Sequence, residues 1–282
     1  MTDRLTEFAN GPYVFDVIDS GPIDGVPIVL LHGFPQRATA WDLVVPLLHD
    51  KGFRTIAPDQ RGYSPGARPA ARRDYRMGEL VGDVIALIDA LGVESVDLVG
   101  HDWGAAVAWS VAGAHPDRIR TLTALSVPHP GAFLRAMPRG QLLRSWYMAF
   151  FNLPKIPELF LSRVFRPSAG GGKRIGLPEP FASRLYDDIV ASGALTGALN
   201  WYRGLPLGTR EDRRFPKIIV PTTYLWSDGD FALGRRGAEM TGNWVDAPYE
   251  FRVINGADHW LPENRPEEVA TAILDRVAAR ST

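Results

Sequence analysis

Five residues, Gly100-His101-Asp102-Trp103-Gly104, constrain this chain more than any others. They follow the apolar run Val96-Asp97-Leu98-Val99 and precede Ala105-Ala106-Val107-Ala108-Trp109. That order reads as strand, sharp turn, helix. Small residues sit two before and two after the central acid. This is the steric pattern of a nucleophile elbow, usually written Gly-x-Ser-x-Gly. Here Asp102 replaces the serine. A carboxylate in that place can attack a carbon that bears a leaving group, but it cannot do ordinary serine-esterase chemistry. Free N–H groups at the start of the following helix favour negative charge, so Asp102 is expected to be ionised. The competing reading is a plain helix-capping aspartate in a glycine-rich turn.

The rest of the chain supplies the frame for such a turn. Asn10-Gly11 separates two strand-like runs, Leu5–Phe8 and Tyr13–Ile18, and predicts a hairpin. Ile28–Leu31 is fully apolar, as a strand buried on both faces should be. Trp41 to Leu48 reads as a helix and Phe53–Ala57 as a strand. Met77, Leu80, Val81, Val84, Leu87, Ile88 and Leu91 repeat at helical spacing up to Gly92. Ser95–Val99 and Leu122–Val127 are further strands. From Pro130 to Phe215 aromatics and prolines cluster and no strand is evident, so a helical insertion is expected there. The alternation resumes with a strand at Thr222–Trp226, a helix after Leu233, a strand at Glu250–Ile254 and a last helix from Pro266. Alternating strands and helices imply a mostly parallel sheet covered on both faces. The expected division is a core of residues 1–129 and 216–282 and a helical cap of residues 130–215, inserted after the sixth strand.

The formal net charge is −1 and cysteine is absent. Disulfides, thiolate metal sites and cysteine nucleophiles are therefore excluded. No basic stripe points to nucleic acid. No apolar run is long enough to span a bilayer, and the polar start Met1-Thr2-Asp3-Arg4-Leu5-Thr6-Glu7 has no signal core. The expectation is a cytoplasmic protein with neither nucleic acid nor membrane as a partner.

A nucleophile at the elbow needs a base and a group to orient it, in the order nucleophile, acid, histidine. After the insertion, Leu225-Trp226-Ser227-Asp228-Gly229-Asp230 offers the acid at the carboxyl end of a strand, where ligands meet parallel sheets. Asp230 is preferred because it lies farther past the strand; Asp228 competes with it, and both also suit an ordinary turn. His259, in Gly256-Ala257-Asp258-His259-Trp260, follows the last strand and completes the order. His32-Gly33-Phe34-Pro35 ends the third strand, so the N–H groups of Phe34 and Trp103 can form an oxyanion hole.

These residues resemble those of the α/β-hydrolase superfamily, and within it the epoxide hydrolases. His32-Gly33-Phe34-Pro35 is similar to that family's oxyanion-hole segment. Gly100-His101-Asp102-Trp103-Gly104 is similar to its elbow with an aspartate nucleophile, Asp230 to its charge-relay acid, and His259 to its water-activating histidine. Asp59-Gln60-Arg61-Gly62-Tyr63 resembles a loop typical of the same group. Leu199-Asn200-Trp201-Tyr202-Arg203 and Trp146-Tyr147-Met148-Ala149-Phe150-Phe151 are similar to the segments that carry its two lid tyrosines.

The resemblance implies an α/β-hydrolase fold and conversion of an epoxide to a vicinal diol with no cofactor or metal. Asp102, Asp230, His259, Tyr147 and Tyr202 would be catalytic. His32, Pro35, Trp103, Phe150, Phe151 and Trp201 would line the substrate site. The partners implied are a small apolar epoxide and water, with a monomer or a homodimer both open. Phenols suit this reaction because an opened epoxide leaves an alkoxide that needs a proton; they also suit plain amphipathic lid packing. Two rivals stand beside this reading. One is a haloalkane or haloacid dehalogenase of the same fold. Phe34, where many haloalkane dehalogenases carry asparagine, and Trp103, where fluoroacetate dehalogenases carry arginine, weigh against it. The other is a non-catalytic ligand-binding protein on a hydrolase fold.

Overall fold

Strand β3 (Pro27–Leu31) shows how the sheet organises the chain. Ile28 and Leu30 point into one buried cluster, with Trp41, Leu48 and Ile273; Val29 and Leu31 point into another, with Leu87, Ala108 and Trp109. A strand with two apolar faces must lie between two layers of helices. The computed structural model describes residues 3–279 and has that arrangement. Met1 and Thr2 of the polar N-terminal run lie outside the described residues.

Eight strands form one sheet in the order β1-β2-β4-β3-β5-β6-β7-β8. Besides β3 they are β1 (Glu7–Asn10), β2 (Tyr13–Ser20), β4 (Arg54–Pro58), β5 (Val96–His101), β6 (Ile119–Leu125), β7 (Thr222–Ser227) and β8 (Tyr249–Ile254). The β1–β2 and β2–β4 pairs are antiparallel and the other five are parallel. This is the mostly parallel sheet expected from the alternating pattern, and it fits the α/β-hydrolase fold that the resemblance implies. Asn10 pairs with Tyr13, so the hairpin turns on Gly11-Pro12, one residue later than the dipeptide Asn10-Gly11 suggests.

Helices α2 (Met77–Ala90) and α3 (Trp103–Ala114) cover one face; α1 (Val45–His49) and α13 (Pro266–Ala278) cover the other. The single helix expected from Trp41 to Leu48 is two shorter pieces, a 3-10 turn at Ala38–Trp41 and then α1. Pro46 is the reason. It has no N–H to give a helix interior, but it fits a helix's first turn.

Between β6 and β7 the described chain holds no strand. It holds α4 (Pro130–Ala136), α5 (Gln141–Arg144), α6 (Trp146–Phe151), α7 (Ile156–Val164), α8 (Gly171–Arg174), α9 (Phe181–Leu185) and α10 (Leu195–Gly204). Helix α10 is seated directly on the loop after β4. A Cβ on Gly197 would lie 2.4 Å from the Gly62 carbonyl oxygen, and one on Gly62 would lie 2.7 Å from Gly197. Glycine at both positions lets two backbones touch. The contact is locked by Trp201, whose indole N–H donates to the Arg61 carbonyl at 2.7 Å. After β7 come α11 (Arg235–Met240) and, after β8, α12 (Leu261–Asn264). No described helix is long and apolar enough to cross a membrane.

Candidate active site

Asp102 stands between β5 and α3 with φ 52° and ψ −119°, a conformation unfavourable for a residue with a side chain. Its neighbours have no room for side chains. A Cβ on Gly100 would sit 2.3 Å from the Gly104 carbonyl oxygen, and one on Gly104 would sit 2.2 Å from that of Leu31. The two small residues of the motif therefore let the turn nest against β3. The strain aims the carboxylate out of the sheet's carboxyl edge.

Two elements hold that carboxylate. The Phe34 N–H donates to Asp102 Oδ1 at 2.8 Å. His259 Nε2 lies 3.4 Å from Oδ2. Burial pushes the Asp102 carboxyl up, but the His259 hydrogen bond and charge and the Phe34 N–H outweigh it and hold it below the usual carboxylate range. On the other side of the ring, His259 Nδ1 faces Asp230 Oδ2 at 2.8 Å. Asp230 Oδ1 accepts the N–H groups of Ala232 and Leu233, both at 2.8 Å. Burial disfavours a charged His259. The charges and hydrogen bonds of Asp230 and Asp102 win, and the imidazole is raised well above its ordinary value. Loops far apart in the chain thus converge on one imidazole between two carboxylates. Asp228 is engaged elsewhere, its Oδ1 accepting the Gly256 N–H at 2.8 Å in an exposed turn.

The placement of His259 depends on two residues that sequence reading left unassigned. His101 Nε2 lies 2.9 Å from the His259 carbonyl oxygen, and Ser126 Oγ donates to the same oxygen at 3.1 Å. Burial pushes His101 down to about 4, so it is neutral and can donate from Nε2. Its position inside the elbow was a signal; its target, across the sheet, was not. The Asp59-Gln60-Arg61 segment acts similarly on the other loop. Asp59 accepts from Arg37 Nε at 2.8 Å and the Ala38 N–H at 2.9 Å, and Gln60 Nε2 donates to the His32 carbonyl at 2.6 Å. Arg61 in turn is fixed by two bonds to the Asp83 carboxylate, at 2.7 and 2.6 Å.

A cavity of about 340 Å³ opens on Asp102. Trp103, Ala106 and Ser110 of α3 form its floor, and Tyr147, Met148 and Tyr202 come from the helices above. The two tyrosine rings lie 6.1 Å apart at 80°. Burial, with the Asp102 charge nearby, raises both phenols above their ordinary value. Tyr202 is boxed edge-on by Phe34, Trp103 and Phe151, with centroids 5.3, 5.0 and 4.9 Å away.

Other residues expected at the substrate do not line this cavity. His32 is fully buried behind the loop: its Nε2 accepts the Gln60 N–H at 3.1 Å, and burial lowers it to about 4. It holds the loop that carries Phe34 rather than a ligand. Pro35 is buried beside it. Phe151 packs behind Tyr202, Phe150 packs on Phe160, and Trp201 is committed to the Arg61 carbonyl. Their aromatic character marked them for burial against the core, and sequence alone did not say which face of each helix reached the cavity.

The chain is similar to known proteins over nearly its whole length. The family model for the α/β-hydrolase fold matches residues 26–266. Epoxide hydrolase A of Mycobacterium tuberculosis is 33% identical, over 97% of this chain and 96% of its own length. An AB hydrolase superfamily protein of Bacillus subtilis, YfhM, is 35% identical over 92% of each chain. A solved structure described among novel epoxide hydrolases in metagenomes from hot environments superposes with a TM-score of 0.83 at 29% identity, covering 98% of this chain and 99% of that one. The chain belongs to the α/β-hydrolase fold family and, within it, to the epoxide hydrolases.

Proposed function

We propose that this protein hydrolyses small apolar epoxides to vicinal diols through a covalent ester on Asp102. One observation carries the reading: an ionised carboxylate and two phenols line one apolar cavity, and an imidazole braced by a second carboxylate stands against that same nucleophilic carboxylate. A binding protein has no use for that set. Asp102 Oδ2 attacks a ring carbon, the C–O bond breaks, and Tyr147 or Tyr202 gives the departing oxygen a proton. Ester formation removes the charge on Asp102, one of the two that held a proton on His259. The imidazole therefore loses its proton more readily, and that proton can restore the phenol. Neutral His259, kept in the Nδ1–H form by Asp230, then takes a proton from water. The resulting hydroxide attacks the ester carbonyl. The N–H groups of Phe34 and Trp103 hold the oxyanion, and collapse releases the diol and the carboxylate.

Residues 1–129 and 216–282 serve as the core in this scheme and residues 130–215 as the cap that brings the phenols. The lack of cysteine supports a reducing, cytoplasmic setting. The test is His259→Gln in a single turnover. Alkylation should proceed and hydrolysis stall, so the intact protein should gain the mass of one epoxide, mapped to Asp102. Halide release from haloalkanes with no adduct from epoxides would refute the assignment in favour of a dehalogenase.

A further inference from the structure

Helix α6 reads Trp-Tyr-Met-Ala-Phe-Phe, apolar on every side. A helix of that kind is normally covered all round. This one is not. Tyr147 and Met148 line the cavity and Phe151 is buried, but Trp146 is 68% exposed. The exposure continues on both sides of α6. Leu143 in α5 is 82% exposed, and Ile156, Leu159 and Phe160 share an open face of α7. Phe150 links the two helices by an edge-on contact with Phe160, centroids 5.6 Å apart. The result is a continuous apolar band along the outside of the cap. Scattered exposed leucines mean little, whereas a contiguous band marks a surface that meets something.

Charge says what it meets. Residues 130–166 carry Arg135, Arg139, Arg144, Lys155, Arg163 and Arg166 against one acid, Glu158, a net +5 in a chain whose formal net charge is −1. Glu158 is committed to Arg203 at 2.7 Å. None of the six cations is in an ion pair among the described residues. Arg139 and Arg144 donate to backbone carbonyls, and Arg135 lies over the Trp244 ring. Two copies of so positive a stretch of chain repel each other, which disfavours a second copy of this chain as the cover. Leucine and tryptophan interleaved with arginine and lysine suit the headgroup region of an anionic bilayer. We propose that this face of the cap docks on an anionic lipid surface. No spanning helix is needed for that. The inference is independent of the reaction at Asp102, although α6 places the cavity just beneath a phase in which apolar substrates dissolve.

The test is co-sedimentation of the full chain with phosphatidylcholine vesicles, with and without about one-third phosphatidylglycerol. Binding to the anionic vesicles should be at least about tenfold tighter and should weaken as salt is raised. The triple variant Leu143→Gln, Trp146→Gln, Leu159→Gln should lose that binding at least about tenfold. It should keep its melting temperature and its turnover of a small water-soluble epoxide. Arg139→Gln with Arg163→Gln should lose the preference for phosphatidylglycerol. Equal binding of wild type and triple variant, or no binding by wild type, overturns the proposal. Wild type that ignores vesicles and dimerises through the same residues would make the occupant a second copy.

Discussion

Replacing Gly33 by alanine tests how closely the nucleophile must be held. A Cβ built on Gly33 would lie 2.4 Å from Asp102 Cβ and 2.6 Å from Oδ1, where ordinary contact begins at 3.4 Å. The shortfall is about 1 Å, and the atoms that must yield belong to the attacking group and to the strained turn that carries it. Displacing a reacting group by about 1 Å costs roughly a hundredfold in rate. The Phe34 N–H that donates to Oδ1 at 2.8 Å would shift with it, so attack and oxyanion stabilisation suffer together. The loss should therefore fall on kcat, while KM, set largely by the apolar floor of α3, should change little. Overpacking should cost about 1–3 kcal/mol of stability, or roughly 2–12 °C in Tm for a chain of this size. Diol formation followed under saturation, beside a thermal melt, measures both. Gly82 in α2 is the control: a Cβ there meets nothing closer than 3.6 Å, so Gly82→Ala should leave kcat unchanged and stabilise by up to about 1 kcal/mol. If Gly33→Ala kept kcat within about threefold of wild type, close fixation of Asp102 by this loop could not be a source of rate.

Tyr147→Phe and Tyr202→Phe should each lower kcat/KM for epoxides, and the double variant should fall by about 10²–10⁴, the usual worth of a general acid. Because burial raises both phenols, the alkaline limb of kcat/KM should lie above pH about 10; a limb near neutrality would reject them as the proton source. Ser110→Trp should raise KM for long epoxides about tenfold or more and spare short ones, since Ser110 floors the cavity away from Asp102. Glu263 is buried on α12, its Oε1 accepting from Gln36, and burial pushes its carboxyl up to about 8. A folded value above the unfolded one of about 4.3 gives stability that is complete below that pH and is lost as pH rises through about 8. Melting temperatures from pH 5 to 9 should fall less steeply for Glu263→Gln than for wild type (range chosen to bracket about 8); parallel slopes would show that Glu263 is not the titrating group.

What the sequence disclosed follows the range of the forces involved. The elbow was legible because its requirements are local: small residues within two positions of Asp102, a preceding apolar run and a helix-forming segment after it. The loops bearing Phe34, Asp230 and His259 were legible because each ends a strand of clear pattern. Discrimination was weakest where the deciding contact was distant in the chain. Asp228 and Asp230 are two residues apart and chemically identical. Only the packing of the β8 loop turns one towards the Gly256 N–H and the other towards His259. His32 was expected at the substrate because it begins the oxyanion-hole segment. Its ring is instead claimed by Gln60, 28 residues away.

The cap shows the same limit from the other side. In Trp146–Phe151 periodicity carries no information, because every position is apolar and any face could be the inner one. Tertiary contacts choose: Tyr147 and Met148 face the cavity, Phe151 the core, and Trp146 is left outside. Net charge is equally blind to position. A formal total of −1 suggests no charged partner, yet it is the sum of a strongly basic stretch, residues 130–166, and an acidic remainder. Hydropathy and charge averaged along the chain describe how much of each a protein has. Averages of that kind remove what the fold decides locally: which apolar residues of α5 to α7, such as Leu143, Trp146 and Leu159, stay exposed.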